Sequence, residues 1–308
     1  MSIYMPEGAN TGGACQGHTA ETLIRAMDRG SIIEARVTLC DHRYNLHVEL
    51  GDGLYGIIPR EESQFVPDGE GIKDIAILTR VGKKVAVKVK EIRLGDGGAP
   101  FFVLSRRMAQ EECMEKYIDT LTPGDVIPAR ITHLESFGAF VDVGCGICSL
   151  LSIDSISVSR ISHPSARLSV GDYIYVVVKG RDERGRIYVS AKELLGSWEE
   201  NAALFSEGQT VRGIVRSVES YGVFVELKPN LAGLAEWRED AECGQSAAVF
   251  IKAIIPEKMK VKLIIIDTSN EPVKREPPCY FIDTREVKHI DRWQYSPSCC
   301  KRRIESVF

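Results

Sequence analysis

The 308-residue sequence predicts a mainly β protein assembled from three copies of one small unit. Apolar and polar residues alternate along residues 127–131, with the period of two that is typical of a half-buried strand. A second strand, Phe-Gly-Ala-Phe-Val-Asp-Val-Gly, follows at residues 137–144 after a short turn. The same two-strand pattern recurs at residues 213–227 and, more faintly, at residues 35–51. Such internal repetition indicates tandem domains of one architecture.

Each copy begins its second strand with a pair of flat side chains. In the middle copy these are Phe137 and Phe140, which have opposite parity and would lie on opposite faces of a regular strand. They share a face if Phe137 lies in the turn or if Gly138 forms a β-bulge. Such a pair, exposed together, offers surfaces on which unpaired bases stack. The equivalent pairs are Tyr221 and Phe224 in the last copy, and Tyr44 and His47 in the first.

Further motifs of the middle copy form a recognisable pattern. In chain order they are Gly124-Asp125-Val126, residues 137–144, Ser149-Leu150-Leu151-Ser152-Ile153, Gly171-Asp172 and residues 182–190. With these motifs, residues 121–193 resemble the S-one domain, the RNA-binding repeat of bacterial small-subunit ribosomal protein one. The S-one domain is a five-stranded Greek-key barrel of the oligonucleotide-binding (OB) fold. The resemblance therefore implies three tandem OB barrels joined by short helices, of which the first and last are degenerate.

The predicted domain order follows from these copies and from the helical segments beside them. Residues 19–29 read as a short helix, with Thr19 as its N-cap and Gly30 as its stop. Residues 105–121 and 190–205 carry apolar side chains at helical spacing, each after the last strand of a barrel. The predicted segments are a disordered leader with a short helix (1–29), the first barrel (30–106), a linker helix (107–120), the middle barrel (121–193), a second linker helix (194–205), the last barrel (206–267) and a C-terminal segment (268–308).

The last copy is shortened, because only residues 238–243 separate its third and fourth strands. So short a connection predicts a barrel that is open at one seam. Beyond it, residues 271–278 contain three prolines and read as a stiff spacer. Residues 279–308 are rich in aromatic side chains, and we expect them to pack on the last barrel and cover the seam.

The resemblance also implies a binding face. In the S-one family this face consists of two aromatics on the second strand, a histidine after the third strand, and an Asp and an Arg in the last hairpin. Phe137, Phe140, Asp182 and Arg186 match four of these places in the middle copy. In the first copy, residues 94–98 replace the Asp-to-Arg hairpin.

The position that holds a histidine in the S-one family holds a different residue in each of the three copies. It holds Ser152 in the middle copy, Glu236 in the last and Pro59 in the first. A serine donates a hydrogen bond but cannot stack, and a glutamate repels phosphate. His133 and Lys179, on neighbouring strands, are candidates to compensate for this loss. The complete set of candidate RNA-binding residues is Phe137, Phe140, His133, Ser152, Lys179, Asp182, Arg186, Tyr221, Phe224, Tyr44 and His47.

The net charge of −4 argues against a protein held on RNA by bulk electrostatics. Residues 30–106 carry 11 basic and 11 acidic side chains, residues 121–195 carry 8 and 8, and residues 206–267 carry 8 and 9. RNA affinity must therefore come from stacking and from local contacts.

The sequence lacks the marks of a secreted, membrane-bound or catalytic protein. No run of 18 apolar residues occurs, and residues 1–17 lack the order of a signal peptide, so we expect a cytoplasmic location without membrane contact. Cys145 and Cys148 have metal-ligand spacing, but no second pair completes a zinc site, and we predict no metal and no cofactor. No catalytic motif occurs, and Asp142, alone on the binding face, is insufficient for two-metal cleavage. We therefore predict that the protein is not an enzyme.

Three functions fit these observations. The first is a non-catalytic binder of single-stranded RNA that acts on messenger RNA in translation, with the small ribosomal subunit as a further candidate partner. The second is a protein-interaction scaffold whose barrels have lost RNA contact, which the near-neutral charge and the missing histidines favour. The third is an RNA-processing enzyme or an RNA-decay accessory factor that carries the barrels as accessory domains, and the absence of a catalytic domain disfavours the enzyme.

Overall fold

Three closed five-stranded barrels make up most of the chain, so the predicted fold class is confirmed. The computed structural model describes residues 4–9, 18–51, 53–66, 71–94, 100–270 and 277–308. The chain divides into two compact units. One comprises residues 1–121 with 142–148, and the other comprises residues 122–141 with 149–308.

The first barrel lies in the unit that contains the N-terminus. Its strands are β1 (Ile33–Cys40), β2 (Leu46–Gly51), β3 (Leu54–Ile58), β4 (Lys84–Leu94) and β5 (Pro100–Ser105). Its helices are α1 (Ala20–Arg29) before β1, α2 (Asp74–Leu78) between β3 and β4, and α3 (Arg106–Lys116) after β5. The predicted ends of α1 are confirmed, because Thr19 caps it and Gly30 ends it in the left-handed conformation, with φ at 62°.

The middle and last barrels belong to the second unit, apart from residues 142–148. The middle barrel consists of β6 (Val126–Glu135), β7 (Gly138–Asp142), β8 (Cys148–Ser152), α4 (Ile153–Ile156), β9 (Tyr173–Arg181) and β10 (Ile187–Ser190). The last barrel follows α5 (Trp198–Ala202) and consists of β11 (Thr210–Glu219), β12 (Gly222–Lys228), β13 (Leu231–Ala235), β14 (Ser246–Ile255) and β15 (Lys260–Ser269). Near the C-terminus, β16 (Arg292–Gln294) pairs with β17 (Glu305–Val307).

All three barrels share one strand order, in which the fifth strand lies between the third and the fourth. The third and fifth strands run parallel in each barrel. The alternation predicted for the first strand of the middle barrel is confirmed, because Ile127, Ala129 and Ile131 are buried while their neighbours Pro128 and Arg130 are only half-buried. Alternate side chains therefore fill the barrel interior and leave the others for the outer face.

The predicted open seam of the last barrel is wrong. Strand β11 pairs with β14 from Thr210 to Ile214, and β13 pairs with β15, so the sheet is continuous around the barrel. Strands β14 and β15 also pair along their whole length. Closure depends on these strand pairings and not on the length of the connection after β13.

The helix predicted for residues 190–205 is broken into two pieces. A 3₁₀ turn spans Lys192–Leu195, and α5 begins only at Trp198. Gly196, with φ at 81°, leaves the helical conformation, and Ser197 starts a new helix through a capping box with Glu200. Trp198 is 2% exposed, as is Tyr117 after α3, so both aromatics lie in the core.

The C-terminal residues contact both barrels of the second unit. Trp293 and Tyr295 join the core of the last barrel. Tyr280 accepts a hydrogen bond from the backbone N–H of Tyr175 in the middle barrel, at 2.8 Å. The backbone N–H of Val126 donates to the Lys288 carbonyl. Within the predicted spacer at residues 271–278, residues 271–276 lie outside the described residues.

Residues 4–9, which the sequence places in a disordered leader, are packed in the first unit. Glu7 is 4% exposed, and its Oε1 lies 2.7 Å from Nε of the buried Arg106. A buried arginine requires a carboxylate partner, and this partner lies 99 positions away, so no local pattern reveals it. The rest of the leader, residues 1–3 and 10–17, lies outside the described residues.

Asp142 lies beside the buried pair of Glu7 and Arg106. The prediction from the sequence that Asp142 lies on the binding face is wrong. It is 2% exposed and accepts hydrogen bonds from the backbone N–H groups of Glu7, Gly144 and Gly146. Burial and the nearby Glu7 carboxylate raise the pKa of Asp142 to about 7. These hydrogen bonds stabilise the turn between β7 and β8.

We expect Glu7→Ala to destabilise the first unit by about 3–5 kcal/mol, because it leaves the Arg106 guanidinium buried without its carboxylate. Native-state hydrogen exchange of amides in the first barrel measures this loss. The control is Glu21→Ala, which removes an exposed ion pair with Arg25 and should leave exchange nearly unchanged. Equal protection in both variants would contradict the assignment.

Candidate nucleic-acid interface

The middle barrel exposes a cluster of three rings, which we call the aromatic cluster: His133, Phe137 and Phe140. Phe137 lies in the turn between β6 and β7, which is the first of the two arrangements that the sequence left open. The Phe137 and Phe140 ring centroids are 6.1 Å apart at 89°, an edge-to-face contact. The His133 ring stacks on Phe140, with centroids 6.5 Å apart at 24°. Phe137 is 52% exposed, so the cluster presents a flat apolar surface to solvent.

Gly138 fixes the position of this cluster. A β-carbon at Gly138 would lie 2.4 Å from the Leu151 carbonyl oxygen and 3.0 Å from the Ser152 α-carbon. Strand β7 therefore approaches β8 more closely than any other residue type allows.

The last barrel has a ring pair of the same geometry, but different side chains surround it. The Tyr221 and Phe224 ring centroids are again 6.1 Å apart, at 87°, and Tyr221 is 67% exposed. Just beyond β13, Glu236 and Trp237 are both exposed. The sequence reasoning did not single out Trp237, although its position directly after Glu236 placed it beside the predicted histidine place.

In the first barrel, the equivalent aromatic ring is covered by its own chain. Tyr44 adopts a positive φ of 62°, and the Arg60 guanidinium lies 5.0 Å from its ring centroid. Arg60 also forms an ion pair with Asp74 at 2.6 Å. His47 lies 3.4 Å from the Asp41 carboxylate. Of the segment 94–98, which replaces the last hairpin, residues 95–98 lie outside the described residues.

The Asp182 and Arg186 side chains pair with each other in the turn between β9 and β10. Their ion pair is 2.8 Å long, and Arg186 is 67% exposed in its side chain. Partial burial raises the pKa of Asp182, but hydrogen bonds from the Arg186 backbone N–H and guanidinium outweigh it and lower that pKa below its usual value. In the strand order, β8 separates this turn from β7.

The remaining predicted residues lie on strands of the same barrel. Lys179 is half-buried on β9. Ser152, at the end of β8, donates from its hydroxyl to Ser155 Oγ at 2.9 Å. The sequence reasoning missed Tyr188, which is 40% exposed on β10 and pairs with Leu150 of β8. Tyr188 lies two positions after Arg186, and residues two apart on a strand face the same side. This spacing could have placed Tyr188 on the outer face from the sequence alone.

Cys145 and Cys148 differ in their surroundings. Cys145 is 3% exposed with φ at 47°, whereas Cys148 is exposed. Among the residues that the structure describes, no group of three or more His, Cys, Asp or Glu side chains is placed to hold a metal ion. In the same part of the chain, every helix is too short or too polar to cross a membrane.

Comparison with known proteins agrees with the architecture. Residues 120–192 match the family model of the S1 RNA binding domain, the family that the middle copy resembles. The chain is 28% identical over 262 residues to small ribosomal subunit protein bS1 of Staphylococcus saprophyticus, covering 82% of this chain and 62% of that protein. It is 29% identical over 270 residues to the bS1 protein of Staphylococcus aureus, covering 82% and 66%.

The chain thus carries an S1 RNA binding domain and is distantly similar to bS1 over most of its length. It spans less than two thirds of the length of these curated relatives. Among solved structures, a multidomain protein with nucleic acid binding domains from Streptococcus pneumoniae covers 79% of this chain, at 17% identity. The TM-score of this match is 0.25.

We expect Gly138→Ala to destabilise the middle barrel by about 1–3 kcal/mol, because the added methyl group meets backbone atoms that cannot move aside alone. Thermal denaturation followed by circular dichroism measures the loss. The control is Gly71→Ala, since a β-carbon there meets no atom within 4 Å and the residue has no positive φ. If both variants melt with the parent protein, β7 and β8 are not in close contact.

Proposed function

We propose that this protein is a non-catalytic binder of single-stranded RNA that acts on messenger RNA during translation. The observation that carries the proposal is the exposed aromatic cluster, located in the barrel that matches the S1 RNA binding domain. Flat rings that are open to solvent stack on unpaired bases, whereas bases in a duplex keep their faces covered. The proposed RNA-binding residues are the eleven predicted from the sequence, with the aromatic cluster at their centre.

The charges around the cluster support binding by stacking. His133 lies 2.8 Å from Glu135, and Arg186 is paired with Asp182. Because Arg186 already pairs with a carboxylate and His133 contacts the Glu135 carboxylate, both side chains are less available to neutralise phosphates. Stacking therefore supplies most of the binding energy in this proposal, and phosphate contacts orient the strand.

The role in translation rests on the distant similarity to bS1, whose name assigns that protein to the small ribosomal subunit. Association of this chain with the small subunit is part of the proposal. Co-sedimentation with purified small subunits, with and without a single-stranded leader on the bound messenger RNA, tests it. Sedimentation that requires the leader supports contact through messenger RNA, and no sedimentation in either case removes the ribosome from the proposal.

A second function, protein interaction, is favoured for the first barrel alone. Arg60 covers the Tyr44 ring and is held in place by Asp74, so one face of that ring is closed to a base. We therefore assign RNA contact to the middle barrel first, to the last barrel second, and to the first barrel least.

We expect Phe140→Ala to weaken binding of a short single-stranded RNA about fivefold to a hundredfold, since stacking contributes about 1–3 kcal/mol per base. Phe224→Ala is the matched variant in the last barrel and should weaken binding less. Arg186→Ala should fall between these two, and Tyr44→Ala should have the smallest effect. Fluorescence anisotropy measures the affinities, and circular dichroism confirms folding. A larger loss in Phe224→Ala than in Phe140→Ala would make the last barrel the main reader.

We expect the affinity for RNA to depend weakly on salt, because the barrels are nearly neutral. Each phosphate neutralised on a single strand contributes about −0.7 to the slope of log affinity against log salt. Two to four contacts predict a slope of about −1 to −3. Titrations at several salt concentrations measure it. A much steeper slope, or equal affinity for duplex RNA, is incompatible with binding by stacking.

A further inference from the structure

Tyr188 is an exposed ring of the middle barrel that lies outside the set of proposed RNA-binding residues. It is 40% exposed on β10. A β-carbon at Gly180 would lie 2.8 Å from Tyr188 Oη, 3.1 Å from Cζ and 3.4 Å from Cε1. The ring therefore lies across the backbone of β9 at a point where only glycine leaves room for it. Strand β9 supports one side of the ring, and its exposed part is open to a base.

The strand pairing places Tyr188 on the same row as Phe140. Tyr188 pairs with Leu150 of β8. On the other side of β8, Gly138 faces Ser152, because a β-carbon at Gly138 would lie 3.0 Å from the Ser152 α-carbon. A short turn joins β7 to β8, so the two strands run in opposite directions, and two residues further along β7 Phe140 lies level with Leu150. The row crosses three neighbouring strands, β7, β8 and β10.

All three side chains of this row lie on the outer face of the barrel. Phe140 and Leu150 are half-buried and Tyr188 is exposed, whereas the residues directly before and after each of them are buried. The row spans two strand spacings, which is about 10 Å. Nucleotides stacked as in a helix rise about 3.4 Å each, so a base on Tyr188 lies about three nucleotides along the strand from a base on Phe140.

A β-bulge places a lysine next to the glycine that supports this ring. The register of β9 and β10 shifts between the pair Tyr188–Gly180 and the pair Val189–Val178, which leaves Lys179 without a partner on β10. Bulges re-aim side chains relative to a regular strand. Lys179 is half-buried, and within the described part of the chain its ammonium has neither an ion pair nor a hydrogen bond. This cation is therefore available to a phosphate.

The last barrel has the same row without the ring at its end. Phe224 pairs with Leu234, and Leu234 pairs with Lys262, which takes the place of Tyr188. A lysine offers three donors and a charge but no flat surface on which a base can stack. A row that begins and ends with an aromatic ring is thus a property of the middle barrel.

We propose that Tyr188 and Lys179 form a second nucleotide-binding subsite on the middle barrel. A base stacks on the Tyr188 ring, and Lys179 contacts a phosphate of the same strand. The subsite rests on the proposed function, because it requires single-stranded RNA on the aromatic cluster. It makes the ligand of this barrel a run of about four or more unpaired nucleotides and not a single unpaired base.

The length of the RNA tests the subsite, with fluorescence anisotropy of labelled triuridylate and hexauridylate on the full chain. We expect Tyr188→Leu to weaken binding of hexauridylate about fivefold to a hundredfold. Binding of triuridylate should stay unchanged, since the shorter RNA occupies the aromatic cluster alone. Tyr188→Phe keeps the ring and should bind both RNAs as the unaltered protein does.

Tyr173→Ala is the matched control. Tyr173 is 44% exposed on β9, but the Arg130 guanidinium lies over its ring, 5.4 Å from the centroid. Its removal should change neither affinity. Lys179→Ala should lower the salt slope for hexauridylate by about 0.7, the contribution of one phosphate contact on a single strand.

Circular dichroism confirms the fold of each variant. In a folded Tyr188→Leu protein, an equal loss for both RNAs, or no loss for either, would overturn the subsite. An unchanged salt slope in Lys179→Ala would overturn the phosphate contact.

A second measurement on the unaltered protein decides the matter if Tyr188→Leu does not fold. Hexauridylate that carries a halogenated uridine should give a photoadduct on Tyr188, and triuridylate should not. Adducts on the aromatic cluster without one on Tyr188 overturn the subsite and leave the proposed function intact. No binding of hexauridylate to the unaltered protein overturns both.

Discussion

The exposed aromatic cluster depends on how closely β7 passes β8 at Gly138. A β-carbon there would lie 2.4 Å from the Leu151 carbonyl oxygen, and at Gly222, in the last barrel, it would lie 2.4 Å from the Ala235 carbonyl oxygen. Both glycines follow a turn aromatic, and both ring pairs have centroids 6.1 Å apart. The first barrel has Asn45 at the equivalent position, and there Tyr44 takes a positive φ and lies under Arg60. The close approach at glycine is therefore what sets two rings edge to face on the outside of a barrel.

The same framework allows the three barrels to differ in their outer faces while they share a topology. Strand pairing and inward-facing apolar residues fix each barrel, so the outer face is free to vary. The middle barrel places His133 against its phenylalanines, whereas the last barrel places Glu236 and Trp237 beyond β13. Buried Glu226 of β12 pairs with Arg216 of the same barrel and with Arg167, which precedes β9 of the middle barrel. RNA binding is thus proposed as a property of the outer faces, foremost that of the middle barrel, and not of the fold.

Sequence reasoning was successful where the signal is local or repeated. The alternation of apolar and polar residues predicted the first strand of the middle barrel, and the repeated two-strand pattern predicted the barrels. Thr19 and Gly30 predicted the two ends of α1. The break at Gly196 was also readable, since Ser197 and Glu200 form a capping-box pattern inside the predicted helix. The buried pair of Glu7 and Arg106 was not readable, because partners so distant in sequence leave no periodic trace. Closure of the last barrel was missed because it depends on pairing between strands that loop length does not reveal.

The proposed function requires that the aromatic cluster of the middle barrel contacts unpaired bases. The most direct measurement is photocrosslinking of the full chain to a single-stranded RNA that carries a halogenated uridine, followed by mass spectrometry of the adduct. We expect adducts on Phe137, Phe140 or His133 in greater yield than on Tyr221 or Phe224, with little on Tyr44. Adducts confined to the first or last barrel, or no adduct above the level seen with duplex RNA, would contradict it.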